Sequence, residues 1–250
     1  SAEPVLCTAG KYQNDTGRAS CDICPAGFYC PGRGTINPIE CPAGHYCPAG
    51  TERSTQYPCD YGTFSDKTML VAASDCEPCL PGMYCDQRGL IYPVDKCSAG
   101  FYCGGGSATR NPSYRGESCV DATNASMNGL CPPGHYCPTG SSAPHRCPIG
   151  TYTAASGLNE SSECSSCTAG YVCGKEALVE PTELCPKGFY CPTGTSTATK
   201  LCPAGYFCEE GSAEPVLCTA GKYQNDTGRA SCDICPAGFY CPGRGTINPI

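Results

Sequence analysis

Three Cys-x-x-Cys steps, at Cys21–Cys24, Cys76–Cys79 and Cys164–Cys167, are the residues best placed by type and spacing to do chemistry. Such a pair serves a zinc site or a thioredoxin-like redox centre. Zinc, however, needs four ligands gathered at one point, and these steps recur evenly along the chain, as links of a cystine ladder would. The histidines, His45, His135 and His145, share no spacing that would complete a metal site, and the first two occupy the variable place before an aromatic. No Gly-x-Ser-x-Gly elbow, P-loop or calcium loop of alternating acids is present. Gly32-Arg33-Gly34 and Arg115-Gly116-Glu117 are too short to carry an adhesion motif. The expectation is a chain that is not an enzyme, with no catalytic residue, no metal ligand and no cofactor.

Composition points the same way. The 250 residues include 27 Cys, 31 Gly and 24 Pro but no Trp. Leu, Ile, Val and Phe are too scarce to build the apolar core that a domain of this length buries. Cysteine above the roughly 8–10% that marks disulfide scaffolds implies cystine in place of a core, and therefore an oxidising, extracellular compartment. A net charge of -7 without runs of one sign argues against nucleic acid as a partner. The longest apolar run, Met69-Leu70-Val71-Ala72-Ala73, is far short of a bilayer span, so no direct membrane insertion is expected of this segment. A secreted chain needs a leader, and the sequence does not open with one, which reads as a mature or internal fragment.

Ser1–Ile39 recurs letter for letter as Ser212–Ile250, so the chain is one 211-residue unit and the start of the next. Identity at a fixed period is the mark of an array whose units contact chiefly their neighbours, so copies of the chain itself, in tandem and laterally, are its expected partners. Within the unit, eleven cysteines open the pattern Cys-x-x-Gly-x-aromatic, with only Val172 departing at the aromatic place. Eight of these close at once with another cysteine, as in Cys24-Pro25-Ala26-Gly27-Phe28-Tyr29-Cys30. The openers Cys7, Cys59 and Cys147 run through longer loops to Cys21, Cys76 and Cys164. This spacing divides the chain into cysteine-rich modules at 1–58, 59–118 and 147–211, an irregular connector at 119–146 with one closed motif, and the restarted unit at 212–250.

Cysteine first, proline often second and glycine fourth fit a type I turn starting at the cysteine. The aromatic beyond the glycine is placed to lie over a disulfide or the preceding turn, a contact worth about 0.3–1.5 kcal/mol. No sustained helical period appears, and the stretches between cysteines are rich in turn residues. The expected fold is a small disulfide-rich one: an elongated tandem array of cystine-stapled turns and short strands, with little helix and no large hydrophobic core.

Spacing alone leaves the bridges open. If every motif closes on itself and each opener bonds its closer, the pairs are those of Cys24 with Cys30, Cys41 with Cys47, Cys79 with Cys85, Cys97 with Cys103, Cys167 with Cys173, Cys185 with Cys191, and the three long loops. Cys131–Cys137 and Cys202–Cys208 fit the same pattern. Cys119 is then the odd cysteine, either unpaired or a covalent link to a neighbouring subunit. Cys235 and Cys241 have partners inside this chain only under self-closure. N-glycosylation sequons stand at Asn14, Asn124 and Asn159, with Asn225 as the copy of the first, so N-linked glycans are expected on the loops between Cys7 and Cys21 and between Cys147 and Cys164.

The motif Cys-Pro-x-Gly-x-Tyr-Cys, as at 24–30, 41–47, 131–137 and 185–191, resembles the ephrin-receptor-like cysteine-rich repeat, itself similar to growth-factor-receptor and tumour-necrosis-factor-receptor cysteine-rich domains. Such repeats abound in large surface proteins of protists and algae, including mastigoneme-like glycoproteins. The resemblance implies a staggered bridge order, Cys7 with Cys21, Cys24 with Cys41 and Cys30 with Cys47, which is the order expected here over self-closure. It further implies an extracellular location. Exact repetition favours a structural unit of a secreted, glycosylated fibre or surface appendage. The alternative is a stalk or ligand-binding ectodomain of a receptor or adhesin, which a distinctive aromatic or charged patch in one place would favour.

Overall fold

The computed structural model describes residues 3–112 and 128–250. Among them there is no α-helix, only two 3-10 turns, Ala73–Asp75 and Ser161–Glu163, and ten two-stranded antiparallel sheets. Each sheet is one hairpin. Its first strand holds the residues before and at the motif's aromatic place, and its second lies just ahead of the next opening cysteine. Lys11–Tyr12 pairs with Asp22–Ile23, Phe28–Tyr29 with Ile39–Glu40, and Thr63–Phe64 with Glu77–Pro78. Two further hairpins are reduced to single bridges, His45 with Pro58 and Phe189 with Leu201. A two-stranded hairpin is marginal alone in water. What sustains these is the way they are joined.

The joints are backbone hydrogen bonds repeated at every motif. The motif glycine donates its N–H to the carbonyl of the closing position in the next motif: Gly10 to Cys30, Gly27 to Cys47, Gly62 to Cys85, Gly170 to Cys191, all at 2.8–3.0 Å. The same glycine's carbonyl accepts the N–H of the next opening cysteine, as Gly10 does from Cys24 and Gly170 from Cys185. A second turn in each hairpin returns the contact, Gly50 donating to the Cys24 carbonyl and Gly211 to that of Cys185. Where the closing position is not cysteine the ladder continues unbroken through Ser65, Thr153 and Gln224, all buried. Chain contacts gather the residues into two compact units, Ser1–Leu130 with Cys137–Ala143 and Cys131–Tyr136 with Pro144–Ile250, and the same ladder runs within each.

The turn itself differs from the type I turn expected at the cysteine. Its closing bond runs from the fifth residue of the motif to the second, Phe28 N–H to Pro25 carbonyl and Tyr206 to Pro203. Glycine is thus the third residue of the turn, with φ between +76° and +88° at the motif positions, as a type II turn requires. The physical reason is twofold. A positive φ strains any residue with a Cβ, and a Cβ here has no room: one built on Gly62 or Gly170 would lie 2.5 Å from the carbonyl oxygen of Gly106 or Gly211, two hairpins further on. The second-turn position has the same handedness and is glycine in most hairpins, but Met69 (φ +64°) and Ala177 (φ +59°) occupy it in two.

Among the described residues the buried apolar side chains are cysteines except for Phe64, Leu70, Pro112 and Leu158. The aromatic packs forward onto the next motif's sulfur, Tyr46 against Cys59, Cys76 and Leu70, and Tyr136 against Cys147, Cys164 and Leu158. The fold is the disulfide-rich tandem array of short-strand modules that the composition implied. The duplicated ends fold alike, with the same strand register at Lys11–Tyr12 and Lys222–Tyr223 and the same Gln-to-Ser bonds, Gln13 to Ser20 and Gln224 to Ser231, both 3.0 Å.

Gly170→Ala should therefore cost more than Gly17→Ala, since Gly17 has φ +76° but nothing within 4 Å of a new Cβ. At about 2 kcal/mol or more against about 1 kcal/mol, amide exchange of Cys185 should quicken roughly 30-fold in the first variant, with only a local and smaller change near Gly17 in the second. Ala177→Gly should act in the opposite direction and slow exchange at its own amide, bonded to the Cys147 carbonyl.

Candidate functional site

Since cystine replaces a core, the bridges are the first functional feature. The structure closes every motif on itself: Cys24–Cys30, Cys41–Cys47, Cys79–Cys85, Cys97–Cys103, Cys167–Cys173, Cys185–Cys191 and Cys202–Cys208, each with a sequence separation of 6. The openers reach their closers across the long loops, Cys7–Cys21, Cys59–Cys76 and Cys147–Cys164. Cys131 and Cys137 are bonded as well. The staggered order is overturned, and Cys235–Cys241, possible within this chain only under self-closure, is present. The reason lies in the turn. It brings Cys24 and Cys30 to a Cα separation of 6.0 Å, within bridging reach, while the hairpin that follows carries Cys41 into the next motif to meet Cys47. Each Cys-x-x-Cys step therefore places its two sulfurs in different bridges. Cys119 lies outside the described residues.

In the chain-entropy account a bridge closing a loop of this size restricts the unfolded chain by about 2–3 kcal/mol, more in the longer loops. The long loops of Cys59 and Cys147 are built alike, each with a 3-10 turn fixed by an acid. Asp75 accepts the Val71 and Ala72 N–H groups, and Glu163 accepts the Asn159 N–H and its Nδ2. These bonds from Asn159 hold the Glu163 carboxyl below its usual range. Asn159 is a sequon residue; it, Asn14 and Asn225 are exposed on loops, in position to carry sugar. Asn124 lies outside the described residues.

One place presents side chains of a different kind. A hollow of about 320 Å³ is lined by Tyr46, Gln56, Tyr57, Asp60, Thr63 and Arg88, with Pro58 and Ala73. The Tyr46 and Tyr57 rings stack with centroids 5.5 Å apart. Arg88 Nε donates to Asp60 Oδ1 at 2.9 Å and its guanidinium lies 5.2 Å over the Tyr61 ring. The Tyr61 backbone N–H and then Arg88 lower the Asp60 pKa. Both members of the pair are exposed, so it contributes less than about 1 kcal/mol. Nothing in the sequence singled out these residues, because Asp60 and Arg88 are 28 positions apart and meet only through the hairpin ladder.

The comparisons with known proteins bear on one segment. Residues 205–249 match the family model described as tyrosine-protein kinase ephrin type A/B receptor-like. All but the first seven of those residues recur identically at the start of the chain. No curated protein matches the chain. With the cystine density, the match marks the chain as extracellular and as a structural or receptor ectodomain. Among the described residues no helix is long and apolar enough to cross a membrane.

Trypsin acting without reduction, at the exposed Arg33 and Arg53, should release residues 34–53 as a free peptide with one internal bridge. Recovery of that peptide tied to residues 19–33 would show the staggered order instead. On titration, a carboxyl whose folded pKa is depressed adds stability above its unfolded pKa and loses it as pH falls through the folded value. The Asp60 resonance should accordingly titrate below the ordinary aspartate range. In Arg88→Ala it should move up but not all the way, because the Tyr61 N–H remains.

Proposed function

We propose that the chain is the repeating structural unit of a secreted, glycosylated fibre or surface appendage, with self-closed bridges fixing each hairpin and a backbone ladder joining the hairpins within each compact unit. The observation that carries this reading is the passage from Cys202 into the restarted unit. Gly205 donates to the Gln224 carbonyl, Cys218 to that of Gly205 and Gly228 to that of Cys202, the same bonds as within the unit. A second copy is thus joined to the first without a change of register, and nothing in that joint limits the number of copies. Each further unit adds a charge of -7, and glycans at Asn14, Asn124 and Asn159 cover polar backbone and oppose lateral clumping. The partners are copies of the chain itself, and the role is non-catalytic, without cofactor or nucleic acid. Kinship with mastigoneme-like surface glycoproteins is part of the same proposal.

The second reading, a stalk or ligand-binding ectodomain, is favoured by the hollow with stacked tyrosines and an Asp–Arg pair beside it. Imaging native material under non-reducing conditions separates the two. Uniform filaments with an axial repeat matching one 211-residue unit are the expected result, and isolated flexible stalks would count against it. N-glycosidase treatment should at the same time lower the mass by up to three glycans per unit.

A further inference from the structure

We infer that the hollow between Tyr57 and Arg88 is a saccharide-binding site, taking one pyranose ring of a glycan. The inference goes beyond the fibre reading and stands whether or not units assemble. Its volume, about 320 Å³, is at the low end for small-ligand sites and suits a ring of that size. The chemistry of the lining suits such a ring. The C–H face of a pyranose carries partial positive charge and settles on the negative face of an aromatic ring, which the stacked Tyr46–Tyr57 pair offers. Its neighbouring hydroxyls call for planar groups with two parallel donors or acceptors, and Asp60 and Arg88 stand beside the rings.

These side chains are held for the task from outside the hollow. Tyr46 is anchored beneath by Cys59, Cys76 and Leu70. Gln56 Oε1 accepts the Glu52 and Arg53 N–H groups, at 2.9 and 3.3 Å, and its Nε2 donates to the Tyr57 hydroxyl at 3.2 Å. Asp60 uses Oδ1 for Arg88 and for the Tyr61 N–H, and Arg88 uses Nε. Asp60 Oδ2 and the Arg88 Nη groups remain for hydroxyls of a sugar. Paired with each other, the two charges leave the site neutral, which fits a neutral ring over an acidic one.

The equivalent frame around the other 3-10-bearing hairpin, Thr151–Ser166, shows that the fold does not require this set. There Tyr136 stacks on His145, also at 5.5 Å, while Pro148 stands in the place of Asp60 and Glu176 in that of Arg88. Glu176 reaches Arg146 instead, at 3.6 Å. The ladder and the bridges are the same in both, so the Asp60–Arg88 pair and the second tyrosine hydroxyl are additions to the frame.

The test uses the glycosylated chain and three probes, methyl α-mannoside, chitobiose and a glucuronic-acid disaccharide, followed by saturation-transfer NMR and by shifts of the Tyr57 and Arg88 resonances. A neutral probe should bind with a Kd of roughly millimolar order. Tyr57→Ala and Asp60→Asn should each weaken it at least tenfold, Tyr57→Phe by about threefold or less, and His145→Ala not at all. Unchanged amide exchange at Tyr46 and Cys59 would confirm that the variants keep the hairpin. Tighter binding after enzymatic deglycosylation would identify the chain's own N-glycans as occupants, and unchanged binding would identify glycans of another molecule. No binding by any probe up to about 10 mM overturns the inference, as does binding that Tyr57→Ala and Asp60→Asn leave intact. Filament images decide the fibre reading separately, so either can fail alone.

Discussion

The hydrogen bond from a motif glycine to the closing position of the next motif is the constraint from which the rest of this structure follows. It needs a backbone with positive φ and a Cα with no side chain, since the carbonyl of a hairpin two steps away sits where a Cβ would be. Given that bond, each hairpin's end is fixed relative to its neighbour and the opening cysteine is delivered to its place by a second bond to the same glycine. Sulfur then fills the small interior that remains. The bridges are secondary in this sense: they stiffen hairpins, while main-chain atoms join one hairpin to the next.

Much of this could be read from the sequence, and the part that could not is instructive. Cys-x-x-Gly-x-aromatic gave away the module, its length and the absence of a large core, because cysteine and glycine are used for reasons that leave few alternatives. The turn lies one residue later than expected because Pro25 and Gly27 are compatible with two turn types, and only the closing bond, Phe28 N–H to the Pro25 carbonyl, separates them. The bridge order departs from the staggered one that likeness to receptor modules implies, because one turn brings Cys24 and Cys30 together. The second left-handed position was not legible at all. Met69 and Ala177 hide it in two hairpins, and its role shows only in bonds to Cys41 and Cys147, about thirty residues earlier.

The Tyr57–Arg88 hollow illustrates a further limit. Its members come from three successive hairpins, those of Cys41, Cys59 and Cys79, and meet only where the ladder brings them together. A repeat fold of this kind places positions of successive modules side by side at constant offsets, so a change at a few of them can create local chemistry without disturbing the scaffold. The hairpins of Cys59 and Cys147, each with the hairpin that follows it, share one frame and differ in their side chains, as Asp60 and Pro148, or Arg88 and Glu176, show.

Self-closure has a consequence for biosynthesis. The motif bridges, such as Cys24–Cys30 and Cys185–Cys191, span only 6 residues, and those of the long loops 14 or 17. Each thiol meets its correct partner within one turn or one loop of emerging into an oxidising lumen, before more distant cysteines compete for it. Oxidation can thus keep pace with translocation, and the risk of scrambling does not grow with the number of copies. A bridge order that spanned motifs would tie the oxidation of each motif to that of its neighbour; in this one each motif oxidises independently of how many precede it.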